Sequence, residues 1–106
     1  MSGELLQGTV ELMVLKALSL EPMHGWGIGQ RLDQMSREVF KVPHGSLYPA
    51  LQRMLRKGSI RSEWRTTENN RRARYYVITA AGRRQLQDEI DSWRRASAAL
   101  NHILAQ

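Results

Sequence analysis

Apolar residues recur along the chain at helical spacing in four segments. Across Thr9 to Leu20 they fall at Val10, Met13, Val14, Ala17 and Leu18, and Glu21-Pro22 closes the run. Leu5, Leu12 and Leu15 add a second stripe to this first helix. A helix apolar on two sides is buried on two sides, so one face is assigned to the domain's own core and the other to a separate cover. The segment MHGWGIGQRLDQMS predicts a second helix with Ile28, Leu32 and Met35 turned inward. Gly27 and Gly29 weaken it by about 1 kcal/mol each relative to alanine, which points to close packing there. GWGIGQ is not a dinucleotide fingerprint, because Gln30 replaces the last glycine and no strand is predicted before it.

In the third segment, HGSLYPALQRMLRKG, the inner positions are Leu47, Leu51, Met54 and Leu55. Ser46 reads as the N-cap and Gly58 as the stop. On that reading Pro49 falls in the first turn, where backbone N–H groups have no intrahelical partner anyway. Ile60 to Arg65 and Arg74 to Ile78 read as two strands, joined by TTENNRRA with its Asn69-Asn70 turn signal. Thr79 caps a last helix running to Ala105, long enough to span roughly 39 Å at 1.5 Å per residue. The predicted fold is mainly α with a small β hairpin. It is a winged helix-turn-helix over residues 1–79, followed by a long C-terminal dimerisation helix over residues 80–106.

The assignment of that helix to dimerisation rests on coverage. At 106 residues with 42% apolar content, the chain supports one domain with a modest core. Cysteine is absent, so disulfides and thiolate metal sites are excluded. His24, His44 and His102 are too far apart to share a helix turn, and neither a metal nor a cofactor is expected. The remaining support is a partner subunit. Leu86, Ile90, Trp93, Ser97, Leu100 and Leu104 follow a 4-3-4-3-4 spacing that Ile103 widens. Such a stripe is more often core than anything special, but a domain this small cannot cover all of it. A homodimer covers both leftover stripes: Leu5, Leu12 and Leu15 on the first helix, and Leu86, Ile90, Trp93, Leu100, Ile103 and Leu104 on the last.

Charge points to the other partner. Formal net charge is +6, and the pI is about 10.5, as expected for a protein that meets nucleic acid or an anionic membrane. No apolar run approaches the roughly 20 residues of a membrane span. The N-terminus carries Glu4 and Glu11 and no basic segment, unlike a signal peptide, so a cytoplasmic location is expected. Between Arg53 and Arg84, ten arginines and lysines face two acids, Glu63 and Glu68; this +8 exceeds the whole chain's balance and leaves −2 elsewhere. A charge run is usually just a solvated face, but here it falls on the third helix and hairpin, the two elements a winged helix turns toward DNA. Beside the third helix's apolar face lie Tyr48, Gln52 and Arg56, with Pro49 and Arg53 next to them. Ser46 and the helix N-terminal amides offer phosphate donors, Gln52 or Arg53 a base-edge reader, and Arg71, Arg72 and Arg74 of the wing flanking contacts. Enzymatic chemistry is not indicated: there is no cysteine nucleophile, no serine–histidine–aspartate set and no phosphate-cradling loop.

Taken together, HGWGIGQRL, GSLYPALQRMLRKGSIRSEW, RRARYYVIT and AAGRRQL resemble the PadR family of bacterial transcriptional regulators, from about Gly8 to Trp93. The set is specific although no single piece is. Trp26 stands where the family usually has tyrosine, and Gly27 and Gly29 replace an acid and a small residue. The resemblance implies a homodimeric repressor on a palindromic double-stranded DNA operator. Its third helix would be the reader, with Tyr48 and its neighbours taking a DNA role, and its single C-terminal helix the dimerisation element. It also implies that two copies of Trp93 near the two-fold axis could hold a flat aromatic or hydrophobic effector; the plainer reading makes Trp93 an interface anchor. Two other readings of the residues compete. An RNA binder would show exposed aromatics on a platform, yet only one of Tyr75 and Tyr76 can face outward. A protein-interaction module would use the long helix alone.

Overall fold

The structure is a computed structural model that describes residues 3–106, with side chains from Thr9 onward. Its elements are α1 (Gly3–Leu20), β1 (Met23–His24), α2 (Gly25–Met35), α3 (His44–Lys57), β2 (Ile60–Thr66), β3 (Arg72–Ile78) and α4 (Ala80–Leu104). Helices α1, α2 and α3 bring Val10, Val14, Ala17, Leu18, Ile28, Leu32, Leu47, Ala50, Leu51 and Met54 into one core, closed from the sheet by Ile60, Tyr76 and Ile78. Each large apolar side chain buried in this way contributes about 1.5–3 kcal/mol of transfer free energy.

The sheet has three strands, not the predicted two, in the order β1-β3-β2 and antiparallel throughout. Strand β1 pairs Met23 with Tyr76 and His24 with Tyr75. Two residues are too few to show a strand period, so Met23-His24 reads as helix in sequence. His24 leaves the strand as the N-cap of α2, its Nδ1 accepting the Gly27 N–H at 3.0 Å. Met35, expected inside, is 42% exposed because α2 ends there and Ser36 turns the chain away.

Helix α3 begins two residues earlier than Ser46. Pro43 occupies the cap position and makes no side-chain capping bond, while the Ser46 and Leu47 N–H groups both donate to the Pro43 carbonyl, at 2.9 and 3.0 Å. Ser46 is therefore not the N-cap, and Pro49 lies inside the helix, past its first turn. Proline has no N–H to give the Gly45 carbonyl one turn back. Gly58 ends α3 in the left-handed conformation at φ 78°, as its position predicts. Asn70 turns the wing at φ 59°.

One junction fixes α4 to the rest. The Thr79 hydroxyl accepts the Gly82 N–H at 3.0 Å, and lies 2.6 Å from the Gly58 carbonyl and 2.9 Å from that of Ser59. Gly82 packs so tightly that a Cβ there would collide with the Ser59 carbonyl oxygen and come within 2.8 Å of Ile78 Cγ1. The Ser59 hydroxyl bonds Gln85, and Gln85 Nε2 donates to Glu89 at 3.1 Å. Leu86, 8% exposed, completes the core. The first turns of α4 thus pack into the winged-helix body, and most of the helix from Asp91 onward is exposed.

Candidate nucleic-acid interface

Burial on α3 selects its outer face. Leu47, Ala50, Leu51 and Met54 are inside, which leaves Gly45, Pro49, Gln52 and Arg56 on the opposite side at helical spacing. Tyr48 stands on the flank toward the sheet, half exposed, with its ring 6.3 Å from that of His44. Its phenol adjoins that of Tyr76; burial, with this neighbour assisting and Arg74 opposing, pushes the Tyr76 hydroxyl above the usual tyrosine range. Ser46 is half-buried on the other flank, in a small recess with Val10, Val39 and Phe40.

Arg53 is placed differently from expectation. Its Nε donates to Glu11 of α1 at 3.3 Å, and Lys57 donates to the other oxygen of the same carboxylate at 3.0 Å. The Glu11 side chain is only 14% exposed, so it holds both cations on the α1 flank of α3. Arg53 is thus drawn toward the α1 flank through its Nε, with its side chain 39% exposed. Arg56 is exposed and carries no such partner among the described residues.

The wing sorts its charge by face. Cross-strand register pairs Ser62 with Tyr76, Trp64 with Arg74 and Thr66 with Arg72, so these six side chains share one face of the hairpin. Near the core this face is buried through Tyr76; farther out it is open and continues the surface of Tyr48. Arg74 Nε donates to the Ser62 hydroxyl at 2.9 Å, and the Arg72 guanidinium lies 5.6 Å from the Trp64 ring centroid. Both partners are neutral, and neither arginine has an acidic partner among the described residues, so no neighbouring carboxylate offsets their charge. The opposite face is partly compensated: Arg65 and Arg61 approach the one carboxylate of Glu63 at 2.7 and 3.6 Å. The Arg65 hydrogen bond is the main reason the Glu63 carboxyl sits below the usual carboxylate range. Tyr75 is on this second face, between His24 and the Arg65 guanidinium. Arg71 lies in the exposed turn just before β3, its N–H bonded to the Thr67 hydroxyl at 3.2 Å.

Three α helices and a wing with two arginines that have no acidic partner among the described residues form a winged-helix body, and sequence comparison decides its family. The Transcriptional regulator PadR-like family matches residues 14–88. The chain belongs to this family. Members of the PadR family are regulators of transcription and not enzymes. Among relatives, the Transcriptional regulator Rv3488 of Mycobacterium tuberculosis is 34% identical over 86 residues, covering 81% of this chain and 77% of that protein. The PadR-like transcriptional regulator BC4206 of Bacillus cereus superposes with a TM-score of 0.84 at 28% identity, over 96% of this chain and 97% of that one. Bacillus subtilis PadR, solved in complex with operator DNA, shares the fold at a TM-score of 0.66 and 19% identity, over 76% of this chain and 45% of that one. This PadR-family chain has no helix, among the described residues, long and apolar enough to cross a membrane.

The residues assigned to a dimer interface divide in two. Leu15 is fully buried at 0% exposure and Leu86 nearly so, which leaves neither the surface to meet a partner. Both belong to the chain's own core, because the buried arc of α1 is wide enough to reach Leu15 and α4 docks through Leu86. Leu12, Ile90 and Trp93, with Met13, Lys16, Leu32, Met35, Phe40 and Arg94, line an open apolar groove of about 460 Å³ between α1, α2 and α4. Beyond it Leu100, Ile103 and Leu104 are more than half exposed, the last two at 67% and 71%. Leu5 lies outside the residues whose side chains are described. Sequence reasoning missed Trp64, Ser62 and Glu11. Trp64 had a legible signal, an aromatic one residue from Arg65 in a basic strand; the roles of Ser62 and Glu11 depend on which residues face them.

Proposed function

We propose that this chain is a DNA-binding transcriptional repressor that acts as a homodimer on a palindromic operator in the cytoplasm. The observation that carries the reading is the uncompensated pair Arg72 and Arg74, on a sheet face that runs on to Tyr48 and the outer side of α3. In this reading α3 enters a major groove, with Gln52 and Arg56 nearest the base edges and Tyr48 and Pro49 beside the backbone. Ser46 and the amides of the α3 N-terminus meet a phosphate, and Arg71, Arg72 and Arg74 grip the flanking backbone or minor groove. Bacillus subtilis PadR, which has the same fold, was solved in complex with operator DNA.

Homodimerisation follows from the apolar surface that one chain leaves open. Leu12, Ile90, Trp93, Leu100, Ile103 and Leu104 would be covered by the same residues of a second copy, with residues 80–106 as the dimerisation helix and its first turns shared with the DNA-binding unit. Two copies related by a two-fold axis read a two-fold symmetric site. A flat aromatic or hydrophobic effector between the two Trp93 rings would release the operator by changing the spacing of the α3 helices. Duplex DNA is favoured over RNA by the likeness to Bacillus subtilis PadR, solved in complex with operator DNA.

Fluorescence anisotropy tests the reading with a duplex enriched from a random-sequence pool by the wild-type protein and a scrambled control. Tight binding to the enriched duplex is expected, with a steep loss as salt rises. Tyr48→Ala and Arg56→Ala should each weaken it by roughly tenfold or more, the effect of losing one good contact, without altering the sedimentation coefficient. Equal affinity for enriched and scrambled duplexes would show that the protein does not read sequence.

A further inference from the structure

Trp64 has no place in the core and none in the reading helix. It is 62% exposed on a β-strand, although an indole is among the costliest side chains to leave in water. It is not loosely held. Its cross-strand partner is Arg74, its diagonal neighbour is Arg72, and the Arg72 guanidinium lies over its ring at 5.6 Å. Arg74 is oriented in turn by the Ser62 hydroxyl on the same face. Every acid of the wing strands is on the other side, where Glu63 takes up Arg61 and Arg65. The face therefore carries two arginines fixed by neutral partners, an arrangement that preserves charge while removing conformational freedom. An acidic partner would fix an arginine equally well, but it would cancel the charge that a polyanion seeks.

We propose that Trp64 is the positioning residue of the wing. Its indole holds the Arg72 guanidinium in the direction of the nucleic-acid backbone and packs its own exposed edge against a deoxyribose next to the phosphate that Arg72 takes. The inference rests on the DNA-binding reading and deepens it, because it names the residue that sets where the wing grips. Arg72 on a free stem would lose rotamer entropy on meeting a phosphate; stacked on Trp64, it has already lost most of it. Trp64 and Arg72 thus act as a unit.

A double-mutant cycle on the full-length protein separates this from an incidental surface tryptophan. Trp64→Ala, Arg72→Ala, the double variant and Trp64→Phe are titrated against the enriched duplex and against scrambled duplex DNA at several salt concentrations. Arg72→Ala should lower the slope of log affinity against log salt by about 1, the signature of one lost phosphate contact. Trp64→Ala should weaken binding at every salt concentration while keeping most of the slope, because the Arg72 charge remains, and the double variant should bind no worse than the weaker single one. Trp64→Phe, which keeps a ring under the guanidinium, should retain most of the affinity. Additive losses, or an undiminished affinity in Trp64→Ala, would overturn the proposal. If Trp64→Ala fails to fold, as judged by circular dichroism, the Trp64→Phe comparison decides: a loss there equal to that of Arg72→Ala overturns it too. Failure of the underlying reading looks different, since the wild-type protein itself would then show no salt-dependent binding to either duplex.

Discussion

Neutral or acidic, the partner of each basic residue decides what that residue can do. Arg53, Arg61 and Arg65 are arginines in the same basic stretch as Arg72 and Arg74, yet each of the three reaches a carboxylate. Replacing Arg74 with alanine should therefore weaken DNA binding more than replacing Arg61, and Arg74→Ala should reduce the salt slope by about 1 where Arg61→Ala barely changes it. Paired titrations at two salt concentrations are sufficient to check this. Tyr76 gives a second expectation at this scale. Its folded pKa lies above the ordinary tyrosine value, so the folded state holds the phenolic proton more tightly than the unfolded chain does. The associated stability is fully present below the unfolded pKa of about 10 and is lost as pH rises past it. Denaturant midpoints should fall above pH 10, and Tyr76→Phe should flatten that fall.

At the scale of the element, two positions break the simple reading of the sequence. Pro49 was legible as a helix-start residue, but α3 starts at His44, because Pro43 serves as the cap residue and its carbonyl takes the first two N–H bonds. Pro49 thus costs the helix one hydrogen bond and crowds the Gly45 carbonyl. Pro49→Ala should raise stability by about 1 kcal/mol or more, the gain from the helix interior exceeding the loss of unfolded-state restriction, as thermal melts would register. Gly82 gave no sign of its importance in sequence, where it is one glycine in an AAGRRQL run. Its role exists only because the Ser59 carbonyl of a different element presses on its Cα. Gly82→Ala should cost about 3 kcal/mol, the upper range for overpacking, and lower Tm by more than 10 °C in a domain of this size. The same junction ties the tilt of α4 to the end of α3, so a milder substitution at Gln85 should loosen that tie with less loss of stability.

For the molecule as a whole, the open question of the sequence was how so small a chain covers two apolar stripes. Part of the answer is internal: Leu15 and Leu86 are consumed by the core. The remainder, from Trp93 to Leu104, is still exposed, and a charge placed in it should act on assembly and not on folding. Ile103→Glu is expected to weaken self-association by at least about tenfold, equivalent to roughly 1.4 kcal/mol, with sedimentation velocity as the measurement. Far-UV circular dichroism should stay helical, because α4 remains docked through Leu86 and its capped first turn.

The sequence by itself determined the helix order, the wing, the Thr79 cap, the Gly58 stop and the concentration of charge on α3 and the hairpin. These are local matters: periodicity, capping chemistry and composition act over a few residues, and neighbours in sequence carry them. The third strand, the true start of α3, the pairing of Arg53 with Glu11, the crowding at Gly82 and the division of the wing into a face without acids and a partly compensated one were decided only by tertiary structure. Each depends on which residue from a distant segment arrives opposite, and a hydrogen bond, an ion pair or a steric limit exists only once both partners are in place.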